Sequence, residues 1–373
     1  MRILLDYRPA LRARTGVGQY VHEAASALIA TAPAGEALTI FSSSWKDRLV
    51  PHAVPGAYAI DQRVPVRVLN FLWHRVEWPS VEFMAGADFD VVQTAHPLLA
   101  PAKHAARLVT IHDLDFLEHP ERTRAEIRRD YPELAARHAA RADQIVVVSE
   151  HTAREVESKL GISRDRISIC SPGAPDWPRR DAEPAEGGCI LFLGTLEPRK
   201  NVGTLLDAYE RLLAMRPDAP PLVLAGGHPP EAASLLERAR RAPLAGHVEI
   251  AGYVPPDERA ALFNRALALV LPSHLEGFGM PAAEAMTIGV PVIVANRGAL
   301  PEVVGDAGRL VDPADSLALT TALAEVLSTP HMRREMTERG WRQATRYSWA
   351  ATAARLREAW HTAIAHREAR RRG

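Results

Sequence analysis

Short apolar runs with little polar alternation recur along this chain. In the first half they are RILLD (2–6), LTIF (38–41), FDVVQT (89–94), RLVTI (107–111), QIVVVS (144–149) and ISIC (167–170). In the second half they are CILFL (189–193), PLVLA (221–225), HVEIA (247–251), LALVL (267–271) and VPVIVA (290–295). Each is followed by turn residues and then by a stretch of helical period. A strand without polar alternation is buried on both faces, as in a parallel sheet covered by helices on each side. The strand–helix alternation repeats in both halves, so the pattern predicts an α/β protein of two doubly wound, Rossmann-like domains.

Between the halves lies SPGAPDWPRRDAEPAEGG (171–188), rich in Pro and Gly and predicted to be a linker. The expected division is 1–178 for the first domain, 179–347 for the second and 348–373 for a terminal helix. That last segment, SWAATAARLREAWHTAIA and its tail, carries Trp349, Leu356 and Trp360 at near-helical spacing after the second sheet is complete. Its apolar face needs a partner, and the expectation is that it packs back on the first domain.

Composition narrows the class. With 373 residues and 47% hydrophobic content the chain can build two sizeable cores. Lys and Arg (45) balance Asp and Glu (45), which gives no electrostatic reason to expect nucleic acid. The two cysteines, Cys170 and Cys189, fall in predicted buried strands, and such sparse usage suits a reducing cytoplasm. The N-terminal apolar run ends at Asp6, too short for a signal peptide, and no run approaches the ~20 residues of a spanning helix. The ending Arg367, Glu368, Ala369, Arg370, Arg371, Arg372 is expected as a solvated helix end, favourable to the helix dipole. A peripheral contact with anionic lipid at the inner membrane face is the lesser reading.

In open parallel sheets ligands bind beyond the carboxyl ends of the strands, so the loops there hold the candidate chemistry. After the first strand, TGVGQY places Gly16 and Gly18 before a helix expected from about Gln19. Those glycines would let backbone N–H groups approach a phosphate. Val21 stands where a dinucleotide fingerprint has its third glycine, which argues against a nicotinamide dehydrogenase. After RLVTI come His112 and Asp113, readable as a cap or as a group exchanging a proton near neutral pH. After CILFL, Arg199 and Lys200 precede Asn201, an expected N-cap. Two exposed cations at a helix N-terminus oppose the dipole preference and suit an anion. After LALVL comes HLEGFGMPAAEAM. Glu276 is expected on a loop beside the amides of Gly277 and Phe278, and Glu284 in the first turn of a helix over 281–288. Two carboxylates so placed can accept hydroxyl hydrogen bonds from separate parts of one ligand.

EGFGMPAAEAM, together with GTLEPRKN, AGYVPPDERAALFNRALALVLPS and ANRGALPEVVGDAG, resembles the family-4 retaining glycosyltransferases of the GT-B fold. TGVGQY and IHDLDF are similar to the N-terminal pattern of that family. The resemblance implies two domains facing a central cleft, the first binding an acceptor and the second a nucleotide sugar. It implies that Glu284 holds ribose hydroxyls and that Glu276, with the Gly277 and Phe278 amides, contacts the transferred hexose. Arg199 and Lys200 would neutralise the diphosphate, with Gly16 and Gly18 closing on it. Val254 would meet the base through its backbone, and His112 would touch the donor sugar. No cofactor or bound metal is implied, since fixed cations can stabilise a leaving diphosphate. The subgroup most resembled builds bacterial surface polysaccharide, with mannose or rhamnose as donor sugar and a glycan or lipid-linked acceptor. A sugar-nucleotide epimerase on the same architecture is the alternative.

Overall fold

The computed structural model describes every residue but 13, 123–124, 185–186 and 373. The chain divides into two compact units, Met1–Gly173 with Trp349–Gly373, and Ala174–Ser348.

In the first unit seven strands form one parallel sheet: β1 (Arg2–Asp6), β2 (Ala37–Ser43), β3 (Tyr58–Gln62), β4 (Val91–Thr94), β5 (Ala106–Ile111), β6 (Gln144–Val147) and β7 (Ile167–Ile169). Their order is β3-β2-β1-β4-β5-β6-β7. In the second unit six parallel strands follow: β8 (Cys189–Leu193), β9 (Leu222–Ala225), β10 (Val248–Gly252), β11 (Ala266–Leu271), β12 (Val292–Ala295) and β13 (Gly308–Val311). Their order is β10-β9-β8-β11-β12-β13. Both sheets run outward one way and then reverse, so each has a switch point, between β1 and β4 and between β8 and β11. The apolar runs form the central strands because helices cover both faces; β8 is buried along its whole length.

Two strands escape the sequence pattern, β3 and β13. Both are edge strands carrying exposed and half-buried positions, so neither shows the continuous apolar run of a central strand. The division falls at Gly173 rather than at 178. Ala174 bridges Ser348, so the chain enters and leaves the second unit side by side. Positions 185 and 186 of the expected linker lie outside the described residues.

The helix Trp349–Arg372 belongs to the first unit. Leu356 and Trp360 are buried, and the Trp360 indole donates to Gln93 Oε1 at 2.6 Å. Arg357 is held by Glu36 at 2.8 Å and by the Leu28 carbonyl at 2.8 Å. A face that looked unpartnered in the sequence is thus the cover of the first sheet. Burial pushes the Cys170 and Cys189 thiols up, to about 12 and about 11, which leaves them inert core groups. Among the described residues no helix is long and apolar enough to cross a membrane.

Candidate active site

The second unit concentrates polar groups at its switch point, where the loops after β8 and β11 meet. Arg199 and Lys200 close the short turn Pro198–Lys200 after β8. The backbone of Arg199 accepts from His274 N–H at 2.9 Å, and its guanidinium donates to the Leu275 carbonyl at 2.9 Å. These bonds lock one loop to the other. Lys200 Nζ donates to both carboxylate oxygens of Glu276, each at 2.7 Å. Ser273 Oγ adds a third bond to Glu276 at 2.7 Å, and Arg199 NH1 lies 3.5 Å from it. Burial would raise the Glu276 pKa, but the Lys200 and Arg199 charges and the hydrogen bonds from Lys200 and Ser273 hold it below the ordinary carboxylate range.

This corrects the expectation of two exposed cations. The Lys200 and Arg199 side chains are only 15% and 19% exposed, because Glu276 and the neighbouring loop draw them in. Part of the Arg199 fork is committed to Glu197 at 2.8 Å and to Leu275, so it is a strut between loops before it is an anion clamp. Asn201 stands at the N-cap position of the helix Val202–Met215, but its side chain does not cap it. Its amide instead donates to the Pro272 and Pro313 carbonyls at 3.0 and 2.7 Å, tying together the loops that follow β11 and β13.

The helix after β11 runs Met280–Ile288, ending at Gly289. Because it starts at Met280, Glu284 lies past the first turn rather than in it. Glu284 is buried and ion-paired with Arg259 at 3.1 Å, itself buried on the helix Arg259–Asn264. Val254, half-buried, lies between β10 and that helix, so Arg259 joins the segment expected at a base to the carboxylate expected at a ribose. Phe278 is buried edge-on against Tyr347, with centroids 5.2 Å apart. That contact commits the Phe278 ring to packing within the second unit. Ala299 N–H donates to the Glu276 carbonyl at 2.9 Å. Gly298, with φ +62°, packs so closely that a Cβ there would come 2.8 Å from Glu276 N.

In the first unit Gly16 caps the helix Val17–Ala30, which begins two residues earlier than expected. Gly18 already lies inside it, and its N–H donates to the Thr15 carbonyl at 3.0 Å. A Cβ on Gly18 would come 2.6 Å from the Pro9 carbonyl oxygen. Close packing therefore explains Gly18, and its amide is already used; this corrects its assignment as a phosphate donor. His112 follows β5 with its ring edge-on to Tyr20 at 5.1 Å. Burial pushes its pKa down to about 4, although Asp113 and the Ala95 backbone work the other way. The imidazole is thus neutral at physiological pH and is not a proton exchanger near neutrality. Its Nε2 is buried without a hydrogen-bond partner in the structure. Asp113 Oδ1 accepts from Asp115 N–H at 3.2 Å and so makes the turn. Among the described residues no group of three or more His, Cys, Asp or Glu is placed to hold a metal.

Sequence reasoning missed four partners. Ser273 stands three residues before Glu276, a spacing that a loop reading does not single out. Arg259 lies 25 positions from Glu284, with no local signal linking them. At the first unit's switch point, Arg8 and His96 close on buried Asp6 at 2.6 and 3.3 Å. Arg8 also covers the Trp73 ring at 5.0 Å.

Known proteins match both units. The model described as Glycosyl transferases group 1 matches residues 174–343, and that described as Glycosyltransferase Family 4 matches residues 14–177. O-antigen chain mannosyltransferase B of Escherichia coli is 30% identical, across 94% of this chain and 96% of its own. Sucrose-phosphate synthase from Thermosynechococcus elongatus has the same fold, with a TM-score of 0.80 at 21% identity over 96% of this chain and 98% of that one. Anabaena HepE, solved with UDP and glucose, gives a TM-score of 0.69 at 15% identity over 95% of this chain and 98% of its own. Nothing in these likenesses supports an epimerase. With the full-length relative and both family models in agreement, the chain belongs to the family-4 glycosyltransferases of the GT-B fold.

Proposed function

We propose that this glycosyltransferase moves a hexose, mannose or rhamnose, from a nucleoside-diphosphate sugar to a glycan or lipid-linked acceptor with retention of configuration. The observation that carries the reading is the Lys200–Glu276–Ser273 cluster at the second unit's switch point, held between two loops by Arg199. The second unit is then the nucleotide-sugar domain and the first the acceptor domain. The mannosyltransferase relative supports the sugar, and the UDP and glucose bound by HepE support the donor class.

Departure of a nucleoside diphosphate builds negative charge. An ammonium carries three donors, and Lys200 spends bonds on Glu276 while keeping capacity for a phosphate oxygen. A cation fixed in this way needs no reorganisation as charge develops. Glu284 accepts from ribose hydroxyls, with Val254 backbone at the base. Glu276 and the amides of Gly277 and Phe278 bind hexose hydroxyls, and Gly16 lies at the diphosphate. His112, neutral, offers Nε2 to a sugar hydroxyl. Glu276 is a poor nucleophile because both its oxygens accept from Lys200 and its pKa is depressed. The acceptor hydroxyl therefore attacks on the face the diphosphate leaves. The donor is a substrate, and no cofactor or metal is required. Buried free thiols support a cytoplasmic setting, and the arginine-rich C-terminus supports peripheral contact at the inner membrane face.

The test is a thermal-shift and hydrolysis screen against GDP-, UDP- and dTDP-sugars. One nucleotide sugar should stabilise the protein and be slowly hydrolysed, and Lys200→Ala should abolish both effects. Epimerisation of a donor in the absence of acceptor would overturn the reading.

A further inference from the structure

Segment 66–83 is unlike the rest of the surface. Among the described residues thirteen large apolar side chains are exposed, and six fall here: Val66, Val68, Phe71, Val76, Trp78 and Phe83. Such a density is not the scatter of single apolar residues found on any protein. The helical stretch Val66–Phe71 continues through Leu72–Val76. Leu69, Trp73 and His74 bury one side of it, which leaves Val68, Phe71 and Arg75 on the other. Just beyond, Trp78 and Phe83 lie ring to ring, 6.2 Å apart, with 59% and 70% of their surfaces exposed. They line one groove with Pro101, Ala102, Lys103 and Arg107.

Cations surround this apolar pair. The end of the helix Trp349–Arg372 folds against the groove: Arg367 donates to the Lys103 carbonyl at 3.2 Å and Arg371 to the His104 carbonyl at 3.1 Å. Arg370 donates to the Ala142 carbonyl at 2.9 Å, and Arg141 pairs with Glu77 at 2.7 Å. Seven cations (Lys103, Arg107, Arg141, Arg367, Arg370, Arg371, Arg372) stand with four carboxylates, Glu77, Glu82, Asp143 and Glu368, of which Glu82 and Asp143 are buried. Positive charge is left in excess; burial and the neighbouring Arg367 and Arg141 push the Arg107 pKa down, against the upward pull of Asp143 and Glu77. The Trp78–Phe83 groove and these arginines lie at the amino ends of β5 and β6, away from the carboxyl-end loop that carries His112.

We propose that the face made by Trp78, Phe83 and the arginine-rich end of the C-terminal helix docks on an anionic lipid bilayer. It deepens the peripheral contact of the preceding reading, and on that point it rests on that reading. Tryptophan suits the headgroup level, with an apolar body and a polar tip, and long basic side chains reach outward from an apolar surface to anionic headgroups. A second copy is the poorer occupant. A two-fold contact through this patch sets the same positive face against itself.

The experiment is flotation of the full chain with vesicles of phosphatidylcholine alone or mixed with phosphatidylglycerol. Binding should require the anionic lipid and weaken with salt. Brominated lipid should quench tryptophan emission in the wild type and less in Trp78→Ser/Phe83→Ser. Lys103→Gln/Arg371→Gln should lower partitioning on the order of twenty-fivefold, at about fivefold per cation. Equal binding to neutral vesicles, no binding at all, or unchanged binding by both variants would overturn the docking. So would a dimer dissolved by Trp78→Ser/Phe83→Ser with lipid binding intact. Both variants should hydrolyse the soluble donor as the wild type does. Vesicle binding without donor turnover therefore defeats only the transferase reading, and turnover without vesicle binding defeats only this one.

Discussion

Glu276→Gln separates two jobs that the structure gives one carboxylate. Glu276 is buried, takes two 2.7 Å bonds from Lys200 and one from Ser273, and carries a full negative charge. Glutamine keeps the shape but leaves Lys200 without its counter-ion. The amide offers Lys200 one acceptor oxygen in place of two and no counter-charge, so the fold should lose about 1–3 kcal/mol. The electrostatic effect on ligand has the opposite sign. A phosphate sharing Lys200 with Glu276 sits on the order of 5 Å from that carboxylate, a repulsion of roughly 1–3 kcal/mol at an effective dielectric between water and the protein surface. Removing it should tighten nucleoside diphosphate binding by about five- to a hundredfold, towards the lower figure in this partly solvated site. Turnover should fall about ten- to a hundredfold, because the bonds to the hexose matter most as the ring flattens towards a cation. Calorimetric titration of the diphosphate, alongside steady-state kinetics on the preferred donor, measures both. If the diphosphate bound more weakly while kcat held, Lys200 and Glu276 would not share the leaving group, and the placement of the donor at this switch point would be wrong.

Four further outcomes are expected. Glu284→Gln should weaken donor binding about ten- to a hundredfold with kcat little changed, since ribose contacts persist from ground to transition state. If Arg259 acts by orienting that carboxylate, Arg259→Met should lose affinity for a ribonucleoside diphosphate but not for its 2′,3′-dideoxy analogue; equal losses would make Arg259 purely structural. Gly298→Ala should cut activity at least tenfold, because its Cβ would meet Glu276 backbone at 2.7–2.8 Å from a φ of +62°; a wild-type rate would show that the loop has room to yield. Burial lowers His22, His112 and His138 to about 4 and His74 to about 2. The unfolded chain therefore binds protons that the fold cannot, so the melting temperature should drop as pH falls from about 6.5 towards 4. A flat melting profile over that window would contradict their neutrality.

How much of this was legible beforehand depended on whether the signal was local. Central strands such as β8 and β11 announce themselves because burial on both faces forces an apolar run, and their order in the chain implies parallel pairing. Edge strands β3 and β13 face solvent on one side and lose that mark. The loops with Arg199, Lys200, Glu276 and Glu284 could be found because loops beyond strand carboxyl ends are where ligands go, and because Gly279, Pro281 and Gly289 mark the helix that carries Glu284.

The sequence by itself determined the architecture, two repeated α/β halves with an amphipathic helix left over, and which residue types stand at the strand ends. Those follow from periodicity and turn chemistry, which act over a few neighbouring positions. Only the tertiary structure decided which charges meet. Lys200 and Glu276 are 76 positions apart, as are Arg199 and Leu275, yet the reversal of strand order at β8 and β11 sets them within hydrogen-bonding distance. Cations read as exposed are instead drawn in by that carboxylate, and Gly18, read as a phosphate loop, is a contact with Pro9. Electrostatics and close packing act through space, and the distances they depend on exist only once the strand order brings remote loops together.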